Sequence, residues 1–217
     1  MPTVITTTVY TYAELGAKAQ EKARDWYRRS EDESGDHYYA EHVIEEAAEI
    51  ILPAIGVTVK THPVKLRGGT TRQDPSIWWS GFSSQGDGAC FEGSYSYQKG
   101  SIAKLHAQVI DPVLDGIARD LMVVQRKYGY QLTAVITHRG TYSHAFSTEI
   151  EVEYTGKGTR DVTAADVYAV RDALRGLMNW IYRQLEASYD DSRSDAVVAE
   201  NIEANEYTFT IDGKREG

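Results

Sequence analysis

Cysteine is almost missing from this chain: Cys90 is the only one in 217 residues. An intramolecular disulfide is therefore impossible, as is a multi-cysteine zinc site within one chain, and a reducing compartment is the expectation. Only five prolines occur, none in a Pro/Ser-rich linker, so the chain reads as one domain over residues 1–217. No apolar run approaches the ~20 residues needed to span a bilayer. The opening MPTVITTTVYTYAEL lacks a basic leader followed by an apolar stretch, and a cytoplasmic location away from membranes is expected. Positive charge is also scarce: 23 Lys and Arg stand against 32 Asp and Glu, for a formal net charge of −9. That balance disfavours direct binding to nucleic acid, which requires phosphates to be neutralised. Internal repeats and low-complexity segments are absent.

What is present is a mixture of helical and extended periodicities. Thr3–Val9 reads as a strand, and Thr11-x-x-Glu14 supplies a capping box for a helix over 12–30. A second helix carries Val43, Ile44, Ala47, Ala48, Ile51 and Leu52 at helical spacing, with Pro53 and Gly56 as its end. From Val57 the period moves toward two. The segments 77–82 and 89–97 are aromatic-rich strands joined by the polar turn 83–88, which predicts an antiparallel hairpin. Residues 102–127 are helical, with a division at Asp111-Pro112. A second hairpin spans 131–138 and 145–154. A long helix from Thr163, a short one over 195–204 and a last strand through Tyr207, Phe209 and Ile211 complete the chain. Strands and helices come in blocks rather than βαβ units. The fold class is therefore α+β, a mainly antiparallel sheet with several helices packed against it.

Three groups of residues could carry chemistry or recognition. In SGFSSQGDGACFEG (80–93) the glycines permit close backbone approach, and Gln85, Asp87, Cys90 and Glu92 place polar groups in one short span. A hairpin tip needs the same glycines and an Asp for its own backbone bonding, so turn and ligand site compete as explanations. In THRGTYSH, His138 and His144 are equidistant from Thr141. A symmetric turn would oppose them across the strands with Cβ atoms ~5 Å apart, where they could share a metal or a proton; Arg139 beside them also suggests an anion site. The third group is Glu41, Glu45 and Glu49, successive i,i+4 positions forming an acidic face that Lys18, Lys22 or Arg29 could answer. That face is either solvated or an interaction surface. No catalytic residue is assigned, whether a metal is held stays open, no cofactor is expected, and the enzyme question leans to no.

The stretches VYTYAELGAKAQEKARDWYR, SGFSSQGDGACFEG, YQLTAVITHRGTYSH and ANEYTFTIDGK resemble a family of small phage and prophage proteins. Some of these carry the label "antitoxin of toxin–antitoxin stability system". The resemblance implies an accessory protein of a bacterial host cytoplasm that binds a host protein or complex stoichiometrically, foremost an anti-defence inhibitor of the anti-CRISPR type. An antitoxin or transcriptional regulator, and a ligand- or metal-binding enzyme using the QGDG loop with His138 and His144, are the alternatives.

Overall fold

The structure, a computed structural model, describes residues 7–35, 37–66 and 68–216. Along the chain run β1 (Tyr10–Thr11), α1 (Ala17–Ser34), α2 (Tyr38–Glu46), α3 (Leu52–Ile55), β2 (Val57–Val59), β3 (Thr61–Lys65), β4 (Thr71–Pro75) and β5 (Ile77–Trp79). Next come β6 (Ala89–Phe91), β7 (Gly93–Ser96), α4 (Ser101–His106), α5 (Pro112–Lys127), β8 (Leu132–His138) and β9 (Thr148–Tyr154). The long α6 (Ala164–Ser192), α7 (Asp195–Ala204), β10 (Thr208–Phe209) and β11 (Arg215–Glu216) close the sequence. Every described strand pair is antiparallel, and the fold is α+β. The chain forms two compact units, Met1–Ala40 with Ala187–Gly217, and Glu41–Glu186.

In the first unit, β10 lies between β1 and β11, and Tyr10 faces Phe209 in register. Tyr12, Leu15, Ala23, Val198, Ile202 and Phe209 form its core. The expected strand at Thr3–Val9 is displaced: residues 3–6 lie outside the described residues, 7–9 are irregular, and pairing begins at Tyr10. Glu14 does accept from the Thr11 backbone N–H and hydroxyl, both at 2.8 Å. These bonds close only a short 3₁₀ turn, Tyr12–Glu14, while α1 starts later, after Gly16.

The second unit is built on the sheet β2-β7-β8-β9. Alternation divides its faces: Tyr95, Ala134, Ile136 and Ile150 are buried, while Ser94, Val135, Thr137 and Glu151 are exposed. Three strand breaks meet beside it. Lys60 separates β2 from β3, Ser76 separates β4 from β5, and Glu92 separates β6 from β7. Their backbones bond in a ring, Lys60 N–H to Glu92 O at 2.9 Å, Glu92 N–H to Ser76 O at 2.9 Å, and Ser76 N–H to Lys60 O at 2.7 Å. Each extended segment thus changes partner at its break, with no backbone group of the ring left unsatisfied.

Pro53 does not end the second helix. It sits in the first turn of α3, directly after the π turn Ala47–Ile51, whose widened i→i+5 bonding accommodates a residue without an N–H. Gly56 is the true stop, with φ +103°, and a Cβ there would lie 2.1 Å from Ser96 O. Asp111-Pro112 divides the next helical stretch as expected: the Asp111 carboxylate accepts from Val113 N–H and Leu114 N–H, and Pro112 opens α5.

Candidate functional site

The Gly-rich hairpin and the His-bearing hairpin meet. Gly88 is buried against the second, and a Cβ on it would come within 2.6 Å of His144 Cβ. The His138 backbone N–H donates to Glu92 Oε1 at 3.1 Å. Even so, the histidines are not a cross-strand pair. Thr148 is the partner of His138, because the connection is centred on Ser143 rather than Thr141 and contains a 3₁₀ turn at Ala145–Ser147. His144 heads that turn, its Nδ1 accepting from Phe146 N–H at 3.1 Å. His138 Nε2 lies 2.9 Å from Tyr142 O and, facing a carbonyl, is the donor.

The other residues of the first group serve the hairpin itself. Asp87 Oδ2 accepts from the Ser83 and Ser84 N–H groups at 3.0 and 2.6 Å, which organises the loop. Gln85 is exposed at the loop tip. Cys90 is fully buried on β6, and burial pushes its thiol up to about 11, against a weaker opposing bond from Ser147. Glu92 binds Lys60 Nζ at 2.9 Å, and that ammonium holds its carboxyl below the usual range. Arg139 is exposed and pairs with Glu149 at 2.6 Å.

A groove of about 570 Å³ opens between the α2 face and the β3–β4 hairpin. Glu41, Glu45 and Glu49 lie along one wall. The other wall is set by register: His62 faces Asp74 and Val64 faces Arg72, so all four share one side of the hairpin. Arg72 grips Asp74 through two bonds, which lowers the Asp74 carboxyl and raises the guanidinium, with Glu41 and Glu45 adding to the latter. Within this unit Arg72 thus answers the acidic face. Ile44, Ala48, Val59 and Ile77 supply apolar lining.

Trp78 closes the groove and joins it to the hairpins. Its indole stacks with His62 at 5.9 Å and with His138 at 5.1 Å, interplanar angles 22° and 25°. His62 Nδ1 also lies 3.2 Å from the Ser76 hydroxyl, at the strand ring. Carboxylates outnumber strong cations in the groove four to one, Glu41, Glu45, Glu49 and Asp74 against Arg72. Its chemistry therefore favours a cationic occupant with an apolar stem. His62, Arg72 and Asp74 were missed from sequence because only the β3–β4 register brings them together; the alternation in THPVK was their one visible signal.

Among the described residues no group of three or more His, Cys, Asp or Glu side chains is placed to hold a metal ion, and no helix is long and apolar enough to cross a membrane. Neither a curated protein nor a solved structure matches the chain. A family model does match over residues 39–195, more than two thirds of the sequence, encompassing the groove and both hairpins. The chain belongs to that family, described as Domain of unknown function (DUF8835).

Proposed function

We propose that this protein acts by stoichiometric binding to a basic surface of a partner protein, received in the groove between α2 and the β3–β4 hairpin. The observation that carries this reading is the four-to-one excess of carboxylates over strong cations around an apolar lining. Lysine or arginine side chains of a partner would set their stems on Ile44 and Ile77 and their charges among the glutamates. Together with the resemblance to small phage proteins, this favours an anti-defence inhibitor that occupies a nucleic-acid-binding surface of a host complex. Such surfaces are basic, and an acidic groove competes for them.

The test is plaque formation by phage carrying this gene on bacteria that each hold one defence system. The natural gene restores plaques against one system, and a Glu41→Gln, Glu45→Gln, Glu49→Gln variant of equal abundance and folding does not. Failure of the natural gene on every system, or equal rescue by the variant, overturns the reading.

A further inference from the structure

The unit formed by Met1–Ala40 and Ala187–Gly217 has a cleft of its own, of about 820 Å³. That lies within the ~300–1,000 Å³ of small-molecule sites. Tyr27 of α1, Tyr39 of α2, Tyr189 of α6 and Tyr207 ahead of β10 contribute four phenol rings to its lining. The rings hold one another in place: Tyr39 meets Tyr189 edge-on at 5.3 Å, and Tyr27 lies 6.3 Å from Tyr207. Burial pushes the Tyr39 phenol up to about 12, with Tyr189 adding to the effect, and burial followed by the Glu31 charge raises Tyr27. Both remain protonated at neutral pH.

Three carboxylates, Glu31, Asp32 and Asp191, share this lining with two arginines. Both arginines are already engaged. Arg193 bonds Asp32 at 2.6 and 3.2 Å, and Arg28 bonds Asp195 and the Arg193 carbonyl. A phosphate-bearing ligand would thus meet a negative lining whose arginines are neutralised. Within the cleft the Arg193 guanidinium sits 5.2 Å over one face of the Tyr189 ring while paired to Asp32. A cation on a tyrosine face beside a carboxylate is therefore already realised there.

We propose that this cleft binds a linear polyamine. Its protonated nitrogens lie against Glu31 and Asp191, and its methylene stems lie along the tyrosine rings. An elongated cation made of charges separated by short apolar stems suits this lining, whereas a compact metal ion gains nothing from the rings.

The test is calorimetric titration of the full chain with spermidine, with Mg²⁺ and AMP as comparison ligands. Saturable binding of spermidine is expected, unchanged by the Glu41→Gln, Glu45→Gln, Glu49→Gln variant of the other groove and not displaced by Mg²⁺ at matched ionic strength. Tyr189→Leu weakens it about tenfold, and Tyr189→Phe, which keeps the ring, does not. Asp191→Asn, at an exposed position, weakens it about threefold, whereas the same charge change at Glu151→Gln on the sheet leaves it unaltered. Absence of saturation, full displacement by Mg²⁺, preference for AMP, or equal effects of Asp191→Asn and Glu151→Gln would each overturn the proposal.

Discussion

Asp166 is buried at the head of α6 and accepts from Lys127 Nζ at 2.7 Å and from the Tyr128 and Thr163 hydroxyls, each at 2.8 Å. Those three donors, Lys127 first, hold its carboxyl down to about 2. Because the folded value lies below the unfolded one, the resulting stabilisation is complete above the ordinary Asp range near 3.8. It is lost as pH falls from there through about 2. Asp166→Asn keeps the shape but removes the charge from three hydrogen bonds, and should destabilise the protein by about 2–3 kcal/mol at pH 7. Denaturant unfolding at pH 7 and at pH 2 measures this: the difference between natural and substituted protein should shrink markedly at the lower pH. An undiminished difference would show that the charge is not what matters. Sequence alone placed a helix start at Thr163 but gave no sign of this cluster, since Lys127 and Tyr128 approach Asp166 only in the folded chain.

Legibility falls off in the same way among the elements. Asp111-Pro112 announces its helix start locally, and the structure has the break and the cap there. Pro53 misled because its effect depends on the π turn before it. The His138/His144 pairing failed because register depends on how many residues the connection absorbs, and a 3₁₀ turn absorbs three. The ring at Lys60, Ser76 and Glu92 was invisible, being a relation among three strands with no local signature. A similar non-local device joins α5 to β8. The buried Gln125 side chain donates to Leu132 O at 2.7 Å and accepts from Leu132 N–H at 3.0 Å, standing in for a strand partner at the start of β8. Gln125→Leu fills similar space but leaves both Leu132 groups unpaired, which should lower stability by about 2–4 kcal/mol. Hydrogen exchange is the sharper readout: the Leu132 amide should lose protection even where the centre of β8 keeps it. Retained protection at Leu132 would mean another group takes the place of Gln125.

At the scale of the whole molecule, the net charge of −9 makes every added carboxylate mildly unfavourable to the compact state. Glu49 stands one turn beyond Glu45 on the same groove wall, whereas the Arg72 guanidinium acts on Glu41 and Glu45. Glu49 therefore adds like-charge repulsion with the least compensation of the three. Removing it through Glu49→Gln should raise stability by a few tenths of a kcal/mol at low ionic strength. At 0.5 M NaCl, where screening acts within about 4–5 Å, the gain should vanish. Thermal unfolding at the two salt concentrations checks both parts. If the groove receives a basic partner, the same substitution must weaken that association while it stabilises the isolated chain. A residue that opposes folding and favours binding is expected of an interaction surface, not of a merely solvated helix face. Glu49→Gln that destabilises the chain at low salt would instead assign Glu49 to the fold, and would remove it from the binding surface proposed for the groove.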